Sequence, residues 1–319
     1  MSAPNTNRAG TPRALDALLA RRAIILLGKG GVGRTTVAGA LTHFAASQGM
    51  RTLLMETDPR TPIAAGYRRK SGFRPIELAD NLWTMLLDRQ ESVEEYLGFV
   101  VARPLLHAVF ATSFYQYFVH AAPAVRELLT VGKIYHEIER RSPDLPRWDL
   151  IVVDLPASGQ ALSMLKMPFA ARETFGNNLV GSEALEVGRF FRDRAKCAMV
   201  IVTTADHLAM TETLDIRRQL EELEIATAGV VFNRAARSRF EESDIAAMLK
   251  VGATGSQYST MSKLEGIARS ELNRRMRERR ALGILRRQMS VPILSLFEEP
   301  SGPTLEVATR LANQLSVMA

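Results

Sequence analysis

The sequence predicts an α/β fold in which a mostly parallel sheet is flanked by helices on both faces. Three observations predict it. Short apolar runs without polar alternation recur at 23–27, 52–55, 82–87, 150–153, 198–202, 229–232 and 291–296, the mark of strands buried on both faces. Helical stretches separate these runs, so neighbouring strands are joined by crossovers and lie parallel. A glycine-rich segment, 28–33, joins the first run to a helical pattern with Val37, Leu41 and Phe44 at i, i+4 and i+7 and Gly49 as its stop. The chain therefore opens as strand–loop–helix–strand.

Two segments depart from the alternation. Residues 91–140 read as wholly helical, with Ser92-Val93-Glu94-Glu95 as a capping box at their start. Residues 234–289 read as helical again, broken by a loop at 252–256. There is no internal repeat and no low-complexity tract. The expected organisation is a polar N-terminal tail, 1–20, and one domain, 21–319, with helical subdomain elements at about 91–140 and 163–195.

A chain of 319 residues can bury a full core. With 46% hydrophobic and 24% charged residues it is neither a disordered chain nor a collagen-like fibre. Its one cysteine, Cys197, leaves no internal disulfide and no Cys-x-x-Cys zinc site within the chain. The 41 basic and 34 acidic residues leave +7, which permits attraction to nucleic acid, anionic lipid or an acidic partner. Residues 1–20 lack the apolar stretch and cleavage site of a signal peptide. The uncharged run between Arg103 and Arg126 holds Pro104, His107, Gln116, His120 and Pro123, which suit a spanning helix poorly. The chain reads as cytoplasmic, with room for peripheral attachment at a membrane.

The segment Gly28-Lys29-Gly30-Gly31-Val32-Gly33-Arg34-Thr35-Thr36 sits between strand and helix. It fits the phosphate-loop pattern G-x-x-x-x-G-K-[ST] at Gly28, Gly33 and Thr35, with Arg34 at the lysine position. Glycines let successive backbone N–H groups point inward at phosphate oxygens, and the helix N-terminus adds partial positive charge. Thr35 would give its hydroxyl to Mg²⁺. Asp58 ends the second strand, where a carboxylate can orient or deprotonate the water that attacks a γ-phosphate. Asp154 ends the apolar run 150–153 and would hold Mg²⁺ through water. Either aspartate alone also reads as a turn or cap residue. Both at strand ends after this loop are far more specific.

With Lys29 early in the loop, the segment resembles the deviant Walker A ATPases, pattern G-K-G-G-V-G-K-[ST]. The resemblance implies that Lys29 reaches the phosphates of a partner subunit, and therefore a dimer. Beyond the loop the chain resembles the ArsA-type anion-pump ATPases and their relatives that target tail-anchored membrane proteins. Thr57-Asp58-Pro59 is similar to the family's first switch. Asp154 and Gly159, followed by residues 161–168, resemble its second switch. The helix around Glu212 resembles one whose glutamate lies near nucleotide at the dimer interface. Val231-Phe232-Asn233-Arg234 resembles the strand whose Asn233 would read adenine. The likeness spans about 22–315 and is weakest over 235–289. It implies a P-loop NTPase fold with an inserted α-helical subdomain, ATP and Mg²⁺ as ligands, and a conformational cycle on a protein client or membrane-associated partner.

Departures from the family pattern bear on activity. Arginine is larger, planar and forked, so Arg34 is not a conservative replacement in a tight phosphate cradle. Gln160 and Thr61 stand where the family has histidine. A slow or non-hydrolysing subunit of a heterodimer is therefore one alternative. A surface-binding ATPase of the ParA/MinD type is another, against which the large helical segments argue. Missing thiol clusters weigh against a metalloid pump and a zinc-bridged dimer. Phe110, Phe114, Phe118, Met164, Leu165 and Met167 could line an apolar client groove, although such a stripe is more often core. The run of eight arginines between Arg269 and Arg287 reads first as a solvated helix face, and its scarcity of aromatics weighs against nucleic acid.

Overall fold

The computed structural model describes residues 11–60, 62–100, 123–139, 148–237, 240–254 and 259–319. Among them, eight strands form one sheet: β1 (Ala23–Leu27), β2 (Thr52–Glu56), β3 (Ile76–Ala79), β4 (Leu82–Leu86), β5 (Leu150–Asp154), β6 (Cys197–Thr203), β7 (Thr227–Ala235) and β8 (Ile293–Phe297). Their order is β3-β4-β2-β5-β1-β6-β7-β8. Every neighbouring pair is parallel except β3–β4. The expected parallel sheet is present. The short antiparallel edge strand β3 was not expected. Its half-buried, alternating residues give no continuous apolar run, and Asn81, at φ 60°, makes the tight turn into β4.

Alternate strand residues face opposite sides and build two cores. Ile24 and Leu26 join the cluster beneath α1 (Thr11–Leu19), α2 (Arg34–Ser47) and the C-terminal helix Thr304–Met318. Ala23, Ile25 and Leu27 join the other cluster. That second face is covered by helices Pro123–Glu139, Ser158–Phe175, Leu179–Arg192, His207–Glu222 and Ser259–Gln288. Cys197 is buried there, as its place at the head of a strand suggested.

Several expectations need correction. The stretch 1–20 is not wholly a polar tail: residues 11–19 are helical, and Leu15 and Leu18 enter the core at 0% and 8% exposure. Leu15, Leu18 and Leu19 stand at i, i+3 and i+4, an amphipathic stripe one turn long that the polar residues around it outweighed in the sequence. The helix Arg89–Val100 begins before the expected capping box. Asp88, not Ser92, caps it, with Oδ1 accepting from the amides of Gln90 and Glu91 at 2.8 and 2.9 Å. Ser92 turns back to donate to the Asp88 carbonyl. Helix Glu242–Thr254 runs into the loop expected at 252–256. Met164 and Leu165 lie in the core at 1% and 0% exposure, so they line no groove. Phe110, Phe114, Phe118 and Thr61 lie outside the described residues.

The helical elements are tied to one another by a buried charge cluster. Lys133, 4% exposed, donates to Glu95 at 2.8 Å, pairs with Glu137 at 2.9 Å and lies over the Phe73 ring. Such a cluster fixes geometry more than it adds net stability. On the arginine-rich helix, Glu265 holds Arg269, Glu271 holds Arg274 and Arg275, and Glu298 also holds Arg274. Part of that face is thus neutralised. No helix among the described residues is long and apolar enough to cross a membrane.

Helix α1 should count as part of the cooperative unit. Leu15→Ala is expected to lower unfolding free energy by roughly 2–5 kcal/mol, the range for a buried leucine, in urea titration. A solvated tail would leave the midpoint unchanged.

Candidate functional site

The sheet order explains why the site residues meet. β5 lies between β1 and β2, so the segments leaving β1 and β2 flank the last residue of β5. Asp154 is in register with Leu26 on one side and Glu56 on the other. The carboxyl edge of a parallel sheet is where α/β folds collect ligand-binding loops.

The loop after β1 has the shape the sequence implied. Gly28 and Gly33 have φ of 150° and 89°. A Cβ on Gly28 would stand 2.3 Å from the Val202 carbonyl oxygen, and one on Gly33 would stand 2.5 Å from Asn233 Nδ2. Both positions therefore exclude larger residues. At Gly30 and Gly31 a Cβ would meet nothing within 4 Å, so the loop faces open space there. No acceptor among the described residues takes the amides of residues 30–36. Helix α2 starts at Arg34 with no acidic residue in its first turn. These are the properties of an anion cradle.

Asp154 is buried at 4% exposure. Its Oδ2 accepts from Thr35 Oγ1 at 2.5 Å, and its Oδ1 has no hydrogen-bond partner. Burial pushes its pKa up, while Arg34 and the Thr35 hydrogen bond pull it down. A buried carboxylate with one orphan oxygen beside a threonine hydroxyl suits a hydrated Mg²⁺. The residues present thus fit the expected metal.

Arg34 does not extend freely into the loop. Its Nη1 donates to the Leu155 carbonyl at 2.7 Å and to the Pro156 carbonyl. Burial lowers its pKa against the pull of Asp154 and Asp58. It stays charged, as arginine does in proteins. Lys29, by contrast, has no ion pair or hydrogen bond among the described residues.

Asp58 is gripped by Arg60, whose Nε and Nη2 donate to its two oxygens at 2.9 and 2.7 Å, and whose amide donates to Oδ1 at 3.0 Å. The Arg60 hydrogen bonds hold its pKa down at about 2. Beneath it, Glu56 is 1% exposed, and burial pushes its pKa up to about 7. Its oxygens accept from the Ile63 amide and from Thr84 Oγ1, each at 2.9 Å. Thr57 Oγ1 donates to the Asp154 carbonyl at 2.9 Å, joining the ends of β2 and β5.

Asn233 and Glu212 touch the site through the protein. Asn233, 4% exposed, donates from Nδ2 to the Val32 carbonyl at 2.8 Å and so holds the loop from below. Glu212 accepts from Ser158 Oγ at 2.6 Å, which binds it to the start of helix Ser158–Phe175. Gly159 meets nothing a Cβ would strike, so packing does not explain its glycine. Sequence reasoning assigned no role to Glu56, Arg60 or Ser158. A charged residue closing a buried strand was the available signal for Glu56.

A strand–glycine loop–helix with a buried aspartate on the adjacent strand defines a P-loop nucleotide-binding protein. The sequence model of the family described as anion-transporting ATPase, ArsA, matches residues 21–181. Similar proteins include ATPase BagA of Mycobacterium tuberculosis, 26% identical over 248 residues covering 74% of this chain and 71% of that one. A putative arsenical pump-driving ATPase of Aquifex aeolicus is 29% identical over 46% of this chain and 38% of its own length. An ASNA1 homolog of Paramecium tetraurelia is 21% identical over 66% of this chain and 74% of its own. The chain belongs to the ArsA anion-transporting ATPase family.

The Glu56 carboxyl gives a testable pH dependence. Its folded pKa is raised, so its contribution is fully present below about pH 4.5 and is lost as pH rises through about 7. The loss is on the order of 3 kcal/mol. Glu56→Gln can keep both contacts, because the Thr84 hydroxyl can turn to the Leu54 carbonyl, 3.3 Å away. Denaturation curves at pH 5 and pH 8 should therefore diverge less for the variant than for the wild type.

Proposed function

We propose that this chain binds ATP in the loop 28–36 and runs a nucleotide-driven conformational cycle as a dimer, acting on a protein or membrane-associated partner. One observation carries the reading: unclaimed amides at the start of α2 stand beside a buried aspartate with an orphan oxygen. Gly28, Gly30, Gly31, Val32 and Gly33 shape the cradle, and the amides through Arg34, Thr35 and Thr36 donate to phosphate oxygens. Thr35 would hold Mg²⁺ directly, and Asp154 and Asp58 would hold it through water. Bound Mg²⁺ would neutralise charge on the phosphate oxygens. Lys29 carries a free ammonium at the loop and would serve the partner subunit's triphosphate. A carboxylate with a pKa of about 2 is a weak proton acceptor, so Asp58 orients the attacking water more than it deprotonates it. Asn233 holds the adenine side of the loop in place, and Glu212 acts through Ser158. Gly159 lies in the segment that would report hydrolysis to the helices.

A second reading has its own observation. Arg34 is engaged with two backbone carbonyls instead of the loop's open side. That favours slow turnover, with a related ATPase as the partner in a heterodimer. Misplacing a phosphate-binding group costs large factors in rate.

Calorimetry should detect uptake of Mg-ATP, and Asp154→Asn should weaken Mg-dependent uptake by roughly 10–100-fold. No uptake by the wild-type chain sinks the proposal. Mass measurement should show the dimer fraction rising with a non-hydrolysable ATP analogue and failing to rise in Lys29→Ala. Steady-state assays of the chain alone and with a related ATPase separate the two readings. Good turnover alone, stopped by Asp58→Asn, rejects the slow subunit.

A further inference from the structure

We infer that Arg34 is a positioning residue that clasps the second switch, and that a terminal phosphate in the loop releases the clasp by competing for the same guanidinium. The inference deepens the nucleotide reading above and rests on it for the release step.

The geometry is specific. Leu155 and Pro156 connect two anchored points. Upstream, Asp154 is fixed by Thr35 through its side chain and by Thr57 through its carbonyl. Downstream, Ser158 is fixed by Glu212. Between these points, Arg34 is the side-chain donor that both peptide carbonyls share among the described residues. Both bonds leave one nitrogen, Nη1, whose two N–H donors serve two successive carbonyls, and a lysine ammonium ends one bond closer to the backbone and falls short of them. The residue replacing the P-loop lysine is therefore the one suited to hold this backbone.

The clasp is also exchangeable. Arg34 begins α2, at the amides that form the cradle, so phosphate oxygens bound there would lie close to its stem. A charged phosphate oxygen is a stronger acceptor than a neutral peptide carbonyl. Moving the guanidinium from carbonyls to phosphate would free the Leu155–Pro156 backbone immediately before helix Ser158–Phe175. The amides of Gln160 and Ala161 both donate to the Ala157 carbonyl, so their protection reports whether this turn is closed.

Hydrogen exchange at Gln160 and Ala161 tests the inference. Without nucleotide, Arg34→Met should exchange about tenfold faster there than the wild type, the effect of losing hydrogen bonds to a charged donor. Arg34→Lys should be faster by a smaller factor. It should also retain uptake of a non-hydrolysable ATP analogue. With Mg and that analogue, wild-type exchange should accelerate toward the variants, while Arg34→Lys should change little. A purely structural arginine would not make the nucleotide response depend on residue 34. Equal wild-type and variant rates without nucleotide overturn the clasp. An analogue that slows the wild type and Arg34→Lys alike overturns the release. If circular dichroism shows Arg34→Met unfolded, Arg34→Lys decides, and an unchanged rate overturns the clasp. If the wild-type chain takes up no analogue in calorimetry, the nucleotide reading and the release step fall together, while the comparison without nucleotide still decides the clasp.

Discussion

The site depends on one buried carboxylate. Asp154 ends a central strand at 4% exposure, and its cost of burial is met only in part by Thr35 and the field of Arg34. Its position follows from topology, because β5 is inserted between the two strands whose following segments carry the glycine loop and Asp58. A different strand order would separate the loop, Asp154 and Asp58. The remaining orphan oxygen is what makes this edge of the sheet suited to a cation.

Around that carboxylate the polar groups are joined strand to strand. Thr57 ties β2 to β5, and Thr84 on β4 ties to Glu56 on β2. Asn233 on β7 reaches past β6 to the Val32 carbonyl. The cradle is thus supported from a rigid sheet, while its open face is left to the amides of residues 30–36. Preorganised donors of this kind need little rearrangement to accept an anion.

Much of this was legible in the sequence because the carriers are local. Strand β1, the glycine loop and helix α2 are contiguous, and Asp58 and Asp154 each follow an apolar run. What was not legible depends on contacts between distant segments. Arg34 was visible as a departure, but its contact with carbonyls more than 120 positions away was not. Asn233 stood out by its likeness to an adenine contact, but its hydrogen bond to the Val32 carbonyl, 201 positions away, was not visible. Asp58 stood out by position, yet its grip by Arg60 appears only once the turn after β2 is folded. Helix α1 was missed because its apolar stripe, Leu15, Leu18 and Leu19, is only one turn long and is set among polar residues. The helix Arg89–Val100 was entered four residues early because Asp88 caps as well as serine does.

The same contacts join the segments after β2 and β5 without a long path. Asp154 touches the segment after β2 through Thr57 and the loop through Thr35, and it directly precedes the carbonyls that Arg34 holds. Glu56 extends this set to the Ile63 amide, at the short helix Ile63–Gly66. A change of acceptor by one guanidinium would therefore alter the segment next to the aspartate while the sheet stays fixed. Helix Ser158–Phe175 follows at once and buries Leu162, Met164 and Leu165 in the core, so movement at its first turn cannot be absorbed by solvent alone. Closely packed cores transmit such shifts as rearrangements of whole helices more readily than as local strain. That makes the arginine at the phosphate loop, an apparent defect in the motif, the element through which occupancy of the loop would reach the helical face.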